Sequence, residues 1–208
     1  MRVPIIGILG GIGSGKSSVV RQVTEFHLHV IDADRIGHEL LSDTEVLRQL
    51  RQAFDPSIFD SEGHVIRPNL AACVFGESAE QQAGLRRLNA VLHPAIQQET
   101  LSQIEQVSQD ADAIIIDAAL LLEAGWSAPC DVLIYIDTPE SRRIERVREN
   151  RNWSAEELRS RELTQLPLDK KRAQANHVVD NSGTIESAAQ QMTEILRQLI
   201  DERSSGTH

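Results

Sequence analysis

Cysteine is scarce in this chain of 208 residues: only Cys73 and Cys130, set far apart and with no CxxC or Cys/His ligand spacing around them. Neither a disulfide framework nor a structural zinc site is therefore expected, and both residues read as ordinary buried or half-buried thiols. Long apolar runs are missing as well, since no stretch approaches the roughly 18 consecutive residues needed to cross a bilayer. The first residues lack the basic start and small-residue cleavage site of a secretory signal. No membrane partner is expected, and the cytoplasm is the expected address. Positive charge is in deficit: the net charge of −10 makes the chain as a whole repel a phosphate backbone, so no nucleic-acid partner is expected either. An NKxD guanine-specifying sequence is absent, which weighs against a GTP-dependent switch.

What is present begins at Gly10. The run GGIGSGKS, Gly10 to Ser17, follows the apolar run Val3 to Leu9 and precedes a helix-like run from Ser17 to Phe26. A strand, a glycine-rich turn ending in Lys-Ser and a helix together make a phosphate-binding loop rather than a chance turn. Gly10, Gly11, Gly13 and Gly15 allow positive φ angles, so successive N–H groups can curl around an anion. Gly11, Ile12, Gly13, Ser14, Gly15, Lys16, Ser17 and Ser18 would contact a nucleoside triphosphate, which the family resemblance given below makes ATP. Lys16 would bridge the β- and γ-phosphates, Ser17 would offer its hydroxyl to Mg²⁺, and the helix opening at Gly15 would point its positive end at the same phosphates.

Short β-type runs recur between helical stretches: Val3 to Leu9, Leu28 to Ile31, Ala113 to Asp117, Val132 to Ile136 and His177 to Val179. This alternation predicts an α/β fold with a five-stranded parallel sheet flanked by helices. The interval between the second and third runs is far longer than one crossover needs and is mostly helical in pattern, so residues 35–111 are expected to form an inserted helical lobe. Leu47, Leu50, Arg51 and Phe54, and then Leu85, Leu88, Leu92 and Ile96, keep helical spacing. His93-Pro94 predicts a break near Leu92. A last amphipathic helix is expected over Ile185 to Ile200, with a fraying tail from Glu202 to His208. Residues 1–34, 112–141 and 166–203 would then form the nucleotide-binding core, and 142–165 a lid. Between Arg142 and Arg172 ten lysines and arginines face six acids, a local charge of +4. Such a segment suits an anionic substrate, and equally a solvated helix laced with ion pairs.

Strands of an open parallel sheet deliver functional groups at their carboxyl ends. Asp32 and Asp34 follow the second run, Asp117 ends the third and Asp137 follows the fourth. Asp34 is the candidate to accept a proton from a substrate hydroxyl, a carboxylate being ionised at neutral pH; capping a helix over Ile36 to Leu41 would also explain it. His38, four residues on, would share a helix face with Asp34, either holding that carboxylate and touching substrate phosphate or forming an exposed i,i+4 pair. Asp117 ends an isoleucine-rich strand as a metal-holding acid would, with Asp32 the alternative.

The chain resembles bacterial dephospho-coenzyme A kinases from near its first residue to about Gly183. The matching pieces are GGIGSGKS, VIDADRIGHEL (Val30 to Leu40), Arg67 and Leu70 followed by Phe75, LNAVLHPAI (Leu88 to Ile96), DAALLLE (Asp117 to Glu123) and KRAQANHVVDNSG (Lys171 to Gly183). The phosphate loop is common to a very large class, whereas the DAD element with its following histidine and the leucine-rich run ending in glutamate are far more specific. The resemblance implies ATP- and Mg²⁺-dependent phosphorylation of the ribose 3′-hydroxyl of dephospho-coenzyme A on a P-loop kinase core with a helical substrate lobe and a lid. It implies Asp34 as base, substrate contacts from His38, Arg67, His93, Leu120 and Glu123, lid arginines Arg148 and Arg151 at the transferring group, and Asn181 near the adenine. A plain turn before the last helix would explain Asn181 as well. A monomer is the expected state, an oligomer being left open. Three positions depart from the family pattern: Ala119 for proline, Ser18 for threonine and Asn176 for aspartate. Another small-molecule P-loop kinase and a non-catalytic ATP sensor are the rival readings.

Overall fold

The structure, a computed structural model, describes residues 3–76, 78–107 and 110–205. It divides into two compact units. Residues up to Asp32 together with those from Ile104 onward form one, and Ala33–Gln103 the other, where the sequence suggested an insertion over 35–111.

In the first unit β1 (Ile5–Leu9), β2 (Leu28–Asp32), β3 (Ala113–Asp117), β4 (Val132–Asp137) and β5 (His177–Asp180) form one parallel sheet in the order β2-β3-β1-β4-β5. All five residues of β1 and of β3 are buried, as central strands covered on both faces must be. On one face Ile6, Ile8, Ala113, Ile115, Ile134 and Ile136 meet Val19, Val20 and Val23 at α1 (Lys16–Gln22) and Ala188, Met192 and Leu196 of α9 (Ile185–Ser205). The i,i+4 spacing of the last three puts them on one helical stripe. On the other face Gly7 admits a close approach: a Cβ there would lie 2.6 Å from Leu121, 2.7 Å from Leu133 and 2.9 Å from Cys130 Sγ.

β1 lies at the sheet's switch point, because the chain leaves it to one side for β2 and β3 and later returns on the other side for β4 and β5. The loop after β1 therefore opens at the carboxyl edge where ligands bind in such sheets. Strands β2 to β5 each end on an aspartate, and the register pairs Asp32 with Asp117 and Asp137 with Asp180. After β4 come α6 (Glu140–Arg151), α7 (Ala155–Glu162) and α8 (Leu168–Ala173).

The second unit holds α2 (Ala33–Leu40), α3 (Thr44–Ala53), a short 3₁₀ turn, α4 (Arg67–Val74) and most of α5 (Ala79–Gln106) around Val46, Leu50, Phe54, Ile58, Leu70, Val74 and Leu88. Asp43 caps α3 by accepting from the N–H groups of Glu45 and Val46.

Four sequence expectations give way. α5 runs unbroken through Pro94. The proline forfeits its own N–H bond, but Leu88 and Ile96 on either side are buried and Leu92 and Ala95 pack against the core, so tertiary burial outweighs the loss. α1 stops at Gln22, short of Phe26. α2 begins at Ala33, which puts Asp34 inside its first turn and not at its N-cap. α9 continues past Ile200 to Ser205, and the remaining tail residues, 206–208, lie outside the described residues. Among the described residues no helix is long and apolar enough to cross a membrane.

Gly84 shows how tightly α4 and α5 meet, since a Cβ there would lie 2.2 Å from the Cys73 carbonyl oxygen. Backbone cannot yield as a side chain does, so Gly84→Ala is expected to cost about 1–3 kcal/mol in urea unfolding. Gly183→Ala, where a Cβ would meet nothing within 4 Å, is the control and should leave the midpoint nearly unchanged.

Candidate functional site

The loop after β1 is shaped by two glycines in the left-handed region, Gly13 at φ 74° and Gly15 at φ 83°. Gly11, expected to share that conformation, does not; its missing side chain matters for space, because a Cβ there would lie 3.0 Å from both Arg143 Nη1 and Glu162 Oε1. Gly15 caps α1 without any side-chain partner, so the first N–H groups of that helix are left for a ligand. The loop leans on α6, where a Cβ at Gly13 would lie 2.9 Å from Val147 Cγ1 and 3.0 Å from the Arg143 carbonyl oxygen.

An anionic oxygen already sits on this loop. Glu162 Oε1, at the end of α7, accepts from the Ile12 N–H at 3.2 Å and pairs with the buried Arg143 guanidinium. A carboxylate is a chemical stand-in for a phosphate oxygen, and its presence shows that the loop's N–H surface takes negative charge. On the metal side of the loop the Ser17 hydroxyl donates to Asp117 Oδ2, and Asp117 is buried. Asp32 stands in register with Asp117 on the neighbouring strand. Hard oxygens of this kind, few in number and beside a phosphate loop, suit Mg²⁺, which keeps several waters and phosphate oxygens among its ligands. The hydroxyl of Ser18 accepts weakly from Arg21, at 3.4 Å.

The arginines of α6 fall on different faces of that helix. Arg146 Nη1 donates to the carbonyl of Ser14 at 2.9 Å and approaches that of Gly13 at 3.5 Å, and Arg143 reaches the Ile12 carbonyl. Neither Arg148 nor Arg151, the two expected from sequence, is the one beside the loop. Arg148 lines an outward-facing hollow with Arg142 and Glu149, and Arg151 stacks 4.8 Å from the Trp153 ring, whose other close guanidinium is Arg161 at 4.0 Å. Much of the segment's local positive charge is internally paired, as in Arg142–Glu145, Arg159–Glu140 and Arg161–Glu157.

Asn181 is fully buried beneath the loop, with Nδ2 donating to the Ser14 carbonyl at 2.8 Å. Glu123 is half-buried: its Oε1 accepts from Lys171 Nζ and from the Leu166 N–H, both at 2.8 Å. Lys171 is only 2% exposed and also donates to the Ala119 carbonyl and Gln165 Oε1. This knot joins the turn after β3 to the start of α8, and Leu120 lies half-buried within that turn. Sequence reasoning missed Lys171; its signal was the Lys171-Arg172 pair opening the last matching run. Burial pushes the Cys130 thiol up to about 12, so it is no nucleophile at neutral pH.

In the second unit Asp34 and His38 both lie on the exposed side of α2, while Arg67, the first residue of α4, reaches the His38 carbonyl at 3.5 Å. His93 is half-buried on α5, and burial lowers its pKa below the usual imidazole value.

The sequence profile of the dephospho-CoA kinase family matches residues 4–187. The chain belongs to that family. It is a kinase that phosphorylates dephospho-CoA with ATP. Curated dephospho-CoA kinases from Geobacillus kaustophilus and from Thermobifida fusca are each 34% identical over 195 residues, covering 93% of this chain and 95% of theirs. A Thermus thermophilus protein of known structure superposes with a TM-score of 0.78 at 29% identity, over 96% of this chain and 99% of that one. Dephospho-CoA kinase from Campylobacter jejuni, at 20% identity and a TM-score of 0.63 over 96% and 98% of the two chains, shares the fold.

Two of this chain's departures from the family pattern have a structural reading. Ala119 contributes its carbonyl, to Lys171, so its side chain is not needed there. Asn176 exchanges two 2.8 Å bonds with the Leu133 backbone and so ties β4 to the start of β5.

Lys171→Met should leave the half-buried Glu123 without its cation and cost about 3–5 kcal/mol in thermal or urea unfolding. Adding Glu123→Gln to that variant removes the stranded charge and should restore part of the loss.

Proposed function

We infer that the chain moves the γ-phosphoryl group of ATP onto the ribose 3′-hydroxyl of dephospho-CoA, using Lys16 and the loop amides on the phosphates and Asp34 on the acceptor hydroxyl. The observation that carries the phosphate half of this reading is the Glu162 carboxylate on the Ile12 N–H, an anion held where a triphosphate would lie. Ser17 and Asp117 would hold Mg²⁺, with Asp32 in reserve; when bound, the ion supplies positive charge to the phosphate oxygens.

Phosphoryl transfer asks the protein for position and positive charge more than for covalent chemistry, because the transition state is loose and its charge is spread over the phosphoryl oxygens. Lys16 and the loop N–H groups serve that need from the core. Arg146 is the lid cation best placed to join them, being held at the loop by carbonyls and not by a carboxylate. Asp34 would orient the hydroxyl and accept its proton. His38, Arg67 and His93, all on the second unit, are proposed to handle the dephospho-CoA phosphate and pantetheine portions. Glu123 is proposed to act by shaping the turn that carries Leu120 and not by touching substrate.

Lys16→Met and Asp34→Asn should each lower kcat by about two to four orders of magnitude in a coupled ADP-release assay. Near-normal turnover of Asp34→Asn would remove it as the base. Arg146→Ala should lower kcat by about 10²-fold or more, well beyond Arg148→Ala or Arg151→Ala in the same assay. The reverse ranking would return the role to one of those two.

A further inference from the structure

The carbonyl oxygen of Ser14 receives three donors drawn from three other parts of the chain. Thr138 Oγ1 reaches it at 2.8 Å, Asn181 Nδ2 at 2.8 Å and Arg146 Nη1 at 2.9 Å. Thr138 is 6% exposed and Asn181 not exposed at all. Asn181 keeps this bond although its own Oδ1 is buried without a partner among the described residues. A peptide unit is planar and trans, so its C=O and N–H point in opposite directions. Holding the Ser14 oxygen on the protein side therefore aims the Gly15 N–H into the hollow of the loop. Nothing in the local backbone enforces that choice. Gly15 sits at φ 83°, and glycine tolerates either sense of the preceding peptide at little cost. A flipped peptide would present a carbonyl oxygen to the phosphates in place of a donor.

We propose that Thr138 and Asn181 are positioning residues for the kinase reaction: they lock the Ser14–Gly15 peptide so that the Gly15 N–H faces the nucleotide phosphates. The lock rests on the reading of this loop as the ATP site. Arg146 is the third and surplus donor, because a carbonyl oxygen has two lone pairs, and it can leave for a phosphate without releasing the peptide. A Cβ at Gly15 would lie 2.8 Å from Arg146 Nη1 and 3.1 Å from Asn181 Nδ2, so Asn181 and the third donor, Arg146, also confine that position to glycine.

The test is calorimetric binding of Mg·ADP to the full chain, alongside steady-state kinetics. Thr138→Val keeps the shape and removes one donor, and should weaken Mg·ADP binding about tenfold. Thr138→Ser restores the hydroxyl and should bind within about twofold of the parent. The KM for dephospho-CoA should not move in either variant, a split that a general loss of structure would not give. Asn181→Ser removes the second donor and should show the same nucleotide-selective loss, so the proposal remains testable if Thr138→Val fails to fold. Mg·ADP binding by Thr138→Val at parental strength would overturn the lock, and so would a Thr138→Ser variant as weak as Thr138→Val. Because Mg·ADP binding needs no acceptor, a chain that binds it yet leaves dephospho-CoA unphosphorylated would contradict the function and not the lock.

Discussion

A loop that turns its N–H groups toward one point must turn its carbonyls away from it, and those carbonyls then need donors inside the protein. This constraint governs the phosphate-binding end of the molecule. Donors are available because of the sheet order: β1 carries the loop, and on one side of it β4 and then β5 end at Asp137 and Asp180, so the next residues along, Thr138 and Asn181, arrive beneath it. Two residues far apart in sequence become a matched pair because parallel strands finish at one edge. The phosphate loop is thus a property of three strands rather than of eight residues.

On the other side of β1 the same edge supplies oxygen. β3 delivers Asp117 to the Ser17 hydroxyl, and the register sets Asp32 of β2 beside it. The central strand accordingly separates two kinds of support, neutral donors toward β4 and β5 and carboxylates toward β3 and β2. A triphosphate with its cation requires this division: anchored N–H groups for the phosphate oxygens, and acids for the metal that neutralises them.

The parts of this arrangement visible in the sequence are those encoded by neighbours along the chain. The glycine-Lys-Ser run, the isoleucine-rich strands and their terminal aspartates are all local patterns, and all five strands occur where alternation put them. Pro94 misled because a helix rule holds for an isolated helix, whereas Leu88 and Ile96 are buried on both sides of it. Lys171 escaped notice, and Glu123 was expected on substrate, because an ion pair between distant segments leaves no mark on spacing. Sequence pointed to Arg148 and Arg151, whereas Arg143 and Arg146 are the arginines of α6 that reach the loop carbonyls. Each residue turns a helix by about 100°, so a shift of one or two positions along α6 exchanges the face toward the loop for another. Val147, buried beside Gly13 in a mostly charged helix, was the available clue to that phase.

The charge of the segment after β4 has the same logic once its partners are known. Arg142, Arg143, Arg159 and Arg161 each face a glutamate, so their charges are compensated where they stand. Arg146 is held by carbonyl oxygens, which orient a guanidinium without neutralising it. A cation in that condition responds more strongly to an arriving phosphate than one already paired, since no carboxylate has to be given up. Glu162 works in the opposite sense, as an anion resting on the Ile12 N–H that a triphosphate would have to displace on the proposed reading. Its tie to Arg143 gives the displaced carboxylate a partner to keep, so the exchange strands no buried charge. On the proposed reading, the loop, Arg146 and Glu162 together form a surface arranged for negative charge before any nucleotide arrives.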